Sequence, residues 1–305
     1  MMKNDSAGDP MGGLRWTHRT TEKISQELRS LKIEVSPRTV ARLLKKMGFS
    51  LHVNHKSISR TAPKDRDAQL AHIAELREEY GAASVPVISV DTKKKELVGN
   101  FKNQGAAWNR EPTQVNDHDF RSDASGLAVP YGVYDLQANR GTVFVSASYD
   151  TPLFAVACIE KWWRSEGQKR YPGARKLLVL ADCGGSNGYR CRAWKYGLQH
   201  DLCDRHGLTV TVAHYPAGAS KWNPIEHRLF SEISKNWKGV PLTCLETILK
   251  YLRTTTTSAG LRVRAHLVRR TYAKGVRISD SDMKDLALEV HNPMPSWNYT
   301  LAPRS

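Results

Sequence analysis

Apolar positions fall along this chain in two patterns, at helical spacing and in short continuous runs. In "TTEKISQELRSLK" Ile24, Leu28 and Leu31 fall on one face of a 3.6-residue repeat, which predicts a helix. "VSPRTVARLLKKMGFS" predicts a second, with Ser36 as N-cap, Pro37 in the first turn, Val40, Leu43, Leu44 and Met47 as a buried stripe, and Gly48 as the stop. Two short helices joined by "IEV" fit a helix-turn-helix as well as an ordinary helical hairpin. A third amphipathic stretch carries Leu70, Ile73 and Leu76. From residue 86 short apolar runs appear: "VPVISVD", then "LAVPYGVYDL" and "GTVFVSASY" as a hairpin around "QANR", and later "ARKLLVLAD" and "LTVTVAHY". Helical patterns at "TPLFAVACIEKWWRSEG", about 189–206 and "NPIEHRLFSEISKNW" alternate with the later strands, which predicts an α/β fold with a mixed sheet covered by helices. In "WW", Trp162 and Trp163 read as core.

This pattern divides the chain into a disordered leader at 1–13, a helix-turn-helix-like domain at 14–52, a basic linker and helix at 53–85, a main domain at 86–275 and a C-terminal extension at 276–305. With 305 residues and 40% hydrophobic content the chain can bury a full core. No apolar run reaches the roughly 18–20 residues of a membrane span, and the N-terminus lacks a signal-peptide pattern, so no membrane partner and a cytoplasmic location are expected. Five cysteines without a CxxC pair suit reduced thiols. His200, Cys203 and His206 lie in a helical stretch and read as helix surface and core in preference to a zinc site.

Charge changes the picture more. Lys and Arg number 46 against 30 Asp and Glu, a formal net charge of +16. Such an excess favours a polyanion, with nucleic acid the leading candidate. In the helix-turn-helix reading Arg38, Arg42, Lys45 and Lys46 face a groove or its phosphates.

Three acids stand out against this cationic background. Asp91 follows "VISV" and Asp182 follows "LLVLA", so each ends an apolar strand, where an ionised carboxylate needs a partner. If the strands are neighbours, about 4.8 Å apart, both carboxylates reach one cation. Glu226 lies in the first turn of the "NPIEHRLF" helix. Asp91 and Asp182 equally fit turn caps, and Asn223-Pro224-Ile225-Glu226 fits a capping box. A few acids completed by substrate phosphates is the environment magnesium favours.

The motifs "ISVDTKKKELVGNFKN", "PYGVYDL", "ADCGGSNG", "HYPAGASKWNPIEHRLFSEISKNW" and "WNYTLAP", in this order, resemble the bacterial insertion-sequence transposases of the Rhodopirellula-type DDE family. The resemblance runs from about Leu14 to Ala302. It implies a ribonuclease-H-like core, preceded in sequence by the small helical domain, with Asp91, Asp182 and Glu226 as catalytic residues and ligands of two Mg2+ ions, or Mn2+ in their place. It further implies cleavage at mobile-element DNA ends, transfer of the 3′-hydroxyl end into target DNA, nucleoid association and a homo-oligomer on double-stranded DNA. Lys93, Lys94 and Lys95 are expected at DNA phosphates, with a solvated hairpin face the equal alternative for each, and Asn187, Lys221 and Trp222 at the substrate, with core packing the stronger expectation for Trp222. Two departures accompany the match. Cys183 stands where the family usually has glycine, and similar transposases carry more sequence before "LRWT", so a truncated or inactive DNA-binding derivative is the alternative expectation.

Overall fold

The computed structural model describes residues 6–8, 15–17, 20–50 and 63–304. It divides the chain into two units, Met1–Ser57 and Ile58–Ser305. In the first unit β1 (Ser6–Gly8) pairs antiparallel with β2 (Arg15–Thr17). Part of the expected leader is therefore a strand; the rest of 1–13, and residues 51–62 of the expected linker, lie outside the described residues. Helices α1 (Thr21–Ser30) and α2 (Pro37–Lys46) follow. Thr20 and Ser36 cap them by accepting from the N–H groups of Lys23 and Thr39, and Gly48 takes φ +82° after α2. The predicted stripe on α2 is covered only in part. Val40 is buried, but Leu43 and Met47 are 44% and 63% exposed. Two ten-residue helices share one narrow seam, which covers about one apolar position per turn.

The second unit opens with α3 (Pro63–Ala82), β3 (Val87–Thr92), β4 (Glu96–Val98), β5 (Gly126–Asp135) and β6 (Arg140–Ser146). Then come α4 (Pro152–Trp162), α5 (Gln168–Arg170), β7 (Lys176–Ala181), α6 (Arg192–Leu198) and β8 (Thr209–His214). The chain closes with α7 (Ser231–Asn236), α8 (Leu245–Arg253), β9 (Arg262–Val268), α9 (Asp280–Lys284), β10 (Leu288–Val290) and β11 (Asn298–Leu301). Thr151 caps α4 through the Phe154 N–H, with Pro152 in the first turn.

One sheet organises this unit, in the order β10-β11-β8-β7-β3-β5-β6-β9, with β4 paired to β5. β3, β5 and β6 form an antiparallel meander, and β7 and β8 continue parallel to β3 on its other side. That order, with helices on both faces, is the ribonuclease-H-like arrangement. α4 and α6 cover one face, where Phe154, Trp162, Trp163 and Trp194 pack on Ile88, Val90 and Val179. On the other face lie α3, through Ile73 against Leu178 and Leu180, and the segment from Ile225 through α8 against Tyr134, Val143 and Val145.

The stretch set apart as a C-terminal extension supplies β11 to the sheet beside β8. Its Asn298 exchanges two 2.7 Å hydrogen bonds with Gln69 of α3, both side chains being buried. Strand pairing over this distance along the chain leaves no local periodic signal. Among the described residues no helix is long and apolar enough to cross a membrane.

Candidate active site

Asp91 occupies the fifth position of β3, and Asp182 directly follows β7. The strands are parallel neighbours with Val90 opposite Ala181, so the two acids leave the sheet side by side. Alternation puts Asp91 on the face of Val87 and Ser89, the face against which the Glu226 segment packs.

That packing depends on two glycines. A Cβ at Gly132, which pairs with Asp91 across β3 and β5, would lie 2.6 Å from the Phe230 ring and 2.9 Å from Ile225. A Cβ at Gly141 would collide with Leu229. The bare backbone lets the helical segment approach the sheet and brings Glu226 to the acids. Asn223 fixes its start, accepting from the buried Ser89 hydroxyl at 2.6 Å, while the Asn223 N–H donates to Ser220 O. The capping-box alternative for Glu226 is thereby not the arrangement adopted. The Asn223 N–H it requires is engaged elsewhere.

Asp91, Asp182 and Glu226 line one cavity of about 720 Å³, together with Cys183, Arg190 and Tyr215. Burial, reinforced by the charges of Asp182 and Glu226, pushes the Asp91 carboxyl up to about 8 against the pull of the Thr92 N–H, which donates at 2.7 Å. Burial likewise raises Asp182 to about 6, opposed by a hydrogen bond from the Gly184 backbone. Glu226 is raised by burial and held back by Lys93 and His227. The Oδ1 atom of Asp182 is buried with no hydrogen-bond partner among the described residues. Three carboxylates short of positive charge, one with an unanswered oxygen, form a hard-oxygen donor set that fits a divalent ion. As they stand, no three His, Cys, Asp or Glu side chains among the described residues close around a single ion position. The cavity leaves room for a substrate's oxygens to complete a shell.

Neighbouring groups hold the acids in place. His214 is fully buried, its Nδ1–H donating to Asp182 O at 2.7 Å and its Nε2 lying 3.3 Å from the Tyr299 hydroxyl. Burial drops its imidazole to about 4, so the ring is neutral at pH 7. Asp150 accepts from the Thr92 hydroxyl at 3.1 Å and pairs with Lys95 at 3.5 Å. The sequence reading missed Gly132, His214 and Asp150; a glycine inside an otherwise apolar strand was the available signal for the first. Cys183 is no thiolate: burial and the adjacent Asp182 push it up to about 12.

The residues expected at DNA divide. Arg38, Arg42, Lys45 and Lys46 are exposed on α2, and Lys94 and Lys95 are exposed after β3. Lys93 is not: it is buried, 3.0 Å from Glu96 and 4.5 Å from the centre of the Trp237 ring. Asn187 is also buried, accepting from the Tyr131 hydroxyl at 2.8 Å and donating to Val90 O. Its amide braces the strand that carries Asp91. Trp222, for which core packing was the stronger expectation, is 41% exposed with Lys221 Nζ 4.1 Å from its ring centre. The short turn Ser220–Trp222 carries it outward, while Asn223 and Ile225 fill the interior. The helical set expected not to bind zinc is otherwise engaged: Cys203 donates to Leu301 O, His206 faces Glu160 and His200 lies against Arg304.

A family model described as the Rhodopirellula transposase DDE domain matches residues 1–303. Among solved structures the chain is similar to the Mos1 transposase paired-end complex with left transposon end, at 16% identity and a TM-score of 0.47, covering 77% of this chain and 65% of that one. It is similar also to the Mos1 mariner paired end complex with Mn, at 15% identity and a TM-score of 0.48, with 77% and 65% covered. The chain thus spans 65% of the length of these Mos1 chains. No curated protein matches it.

Proposed function

Because the chain belongs to the Rhodopirellula transposase DDE-domain family, we propose that it cleaves DNA at the ends of a mobile element and transfers the freed 3′-hydroxyl end into target DNA. The observation that carries this reading is the meeting of Asp91, Asp182 and Glu226 around one cavity. Asp91, Asp182 and Glu226 would hold two divalent ions, Mg2+ or Mn2+. When bound, such ions activate an attacking oxygen and stabilise the leaving oxygen of an in-line displacement at phosphorus.

The chain's own contribution is placement. The adjacent ends of β3 and β7 fix two carboxylates, and Gly132 with Gly141 admits the segment bearing the third. His214 and Asn187 hold the backbone on either side of the acids through Asp182 O and Val90 O. Arg38, Arg42, Lys45 and Lys46 are available on α2 to meet the element end, and Lys94, Lys95, Lys221 and Trp222 to meet DNA entering the cavity. Bringing two ends together calls for at least two copies of the chain on DNA.

Nicking and joining of supercoiled plasmid in Mg2+ or Mn2+, wild type against Glu226→Gln, tests the proposal. Glutamine keeps the shape and loses the ligand charge. Both reactions are expected to fall at least about 100-fold, with the melting temperature unchanged or higher. A Gln variant as active as wild type would sink the three-acid reading. A wild type that binds DNA without cutting it would favour a non-catalytic derivative.

A further inference from the structure

β9 lies three strands from β3 in the sheet, roughly 14 Å away at about 4.8 Å per strand. Following the pairings from β7 to β3, β5, β6 and β9 shows that β3, β6, β7 and β9 all run in one direction. The chain therefore leaves β9 at the same end of the sheet as Asp91 and Asp182. What leaves there is "RRTYAKGVRISD", residues 269–280, with four cations and no acid before Asp280.

This segment is anchored at three points. Tyr272 packs on Phe154 at the start of α4, with ring centres 5.6 Å apart. Lys274 Nζ stands 3.4 Å from the centre of the Tyr149 ring, beside the Asp150 that bonds Thr92. At the far end Arg192 donates to Ile278 O at 3.2 Å and pairs with Asp280 at 2.6 Å. Arg192 opens α6, and the preceding Arg190 and Cys191 line the acid cavity. The segment is thus a strap from the sheet edge to the rim of the cavity.

Its charge meets no carboxylate. Arg269, Arg270, Lys274 and Arg277 are exposed and none makes an ion pair among the described residues, Arg270 and Lys274 lying over the Tyr272 and Tyr149 rings instead. Lys95 with Asp150 and Arg192 with Asp280 are paired, whereas Lys94, Arg190 and Lys221 are, like the strap's cations, exposed without an ion pair among the described residues. An anchored backbone carrying uncompensated cations beside a cluster of acids suits a ligand whose negative charges are spread along a line.

We propose that strap 269–277 is a second binding track for the phosphate backbone of duplex DNA, guiding a duplex toward the acid cavity. The proposal rests on the transposase reading. It assigns the strap to backbone contacts alone, since no groove-reading helix or strand is part of it.

The test is the salt dependence of duplex binding by the full chain, by fluorescence anisotropy in EDTA, where no cleavage contributes. The strap variant carries Arg269→Gln, Arg270→Gln and Arg277→Gln; Lys274, stacked on Tyr149, is left in place. The control removes the same charge from exposed cations at the opposite end of the sheet, with Lys169→Gln, Arg175→Gln and Lys176→Gln. Each phosphate contact contributes about 0.9 to the slope of log affinity against log salt, so the strap variant is expected to lose up to about 3 and the control little. Replacing the same three arginines by lysine is expected to keep the slope. Equal losses in strap and control would mean net charge alone acts, and would overturn the proposal. Wild-type binding with no change in the strap variant would overturn it while leaving the transposase reading intact. A wild type that binds no duplex at any salt would overturn both.

Discussion

Lys93, Lys94 and Lys95 are identical in sequence and separate completely in space. Lys93 extends the line of β3, its N–H donating to Pro130 O, and its ammonium enters the interior between Glu96 and the Trp237 face. The same charge partly offsets the burial that raises the Glu226 carboxyl. Lys93→Met would therefore leave Glu96 and Glu226 without their buried cation, and a loss of about 3 kcal/mol in urea unfolding is expected. Lys94→Met, on the exposed neighbour, is expected to change stability by less than about 0.5 kcal/mol. Equal effects would refute the inward placement of Lys93. The three acids were legible as residue types at strand and helix ends, because a carboxylate beside an apolar run demands a partner. The direction of Lys93 was not, since Glu96 lies within reach in the sequence but Trp237 arrives only through the fold. Asn187 was misread for the same reason: its partners Tyr131 and Val90 come from other strands.

Elements were easier to read than their docking. Short apolar runs marked β3, β5, β6, β7 and β8, and capping residues marked α2 and α4, because both signals are local. How closely the Ile225–Phe230 segment lies on the sheet is set by Gly132 and Gly141, and a missing side chain writes no hydrophobic pattern. Gly132→Ala measures that closeness. The added methyl meets Phe230 and Ile225, both buried, so the segment must shift or the ring must leave its packing. A cost of about 1–3 kcal/mol is expected, and plasmid nicking is expected to fall by more than the stability loss explains, because the shift is transmitted to Glu226 one residue from Ile225. If nicking is retained at full rate in a folded Gly132→Ala chain, the glycine serves packing alone.

At the scale of the molecule the sheet order was recoverable, since a meander followed by alternating helix and strand leaves few arrangements, and the motif order pointed to one of them. The insertion of β11 beside β8 was not, and it matters to the site: through Tyr299 and His214 the C-terminal strand reaches the Asp182 carbonyl. The acids also leave a mark on the whole protein's stability. Asp91 titrates at about 8 in the fold against an ordinary 3.8, so it favours the folded state at low pH and ceases to as pH rises through 8. Asp182 acts in the same sense between 3.8 and about 6. His214, lowered from 6.5 to about 4, acts oppositely, contributing stability that is lost as pH falls below 6.5. Below pH 6.5 these terms oppose one another, whereas between 6.5 and 8 the Asp91 term stands without them. In EDTA the unfolding free energy is therefore expected to fall from pH 6.5 to 8, by at most about 2 kcal/mol for one proton over that range. Asp91→Asn should flatten this decline and raise stability at pH 8, and saturating Mg2+ or Mn2+ should flatten it in the wild type by supplying the positive charge the acids lack. A decline that persists unchanged in Asp91→Asn would place its origin elsewhere in the molecule and remove the electrostatic argument for a cation among the three acids.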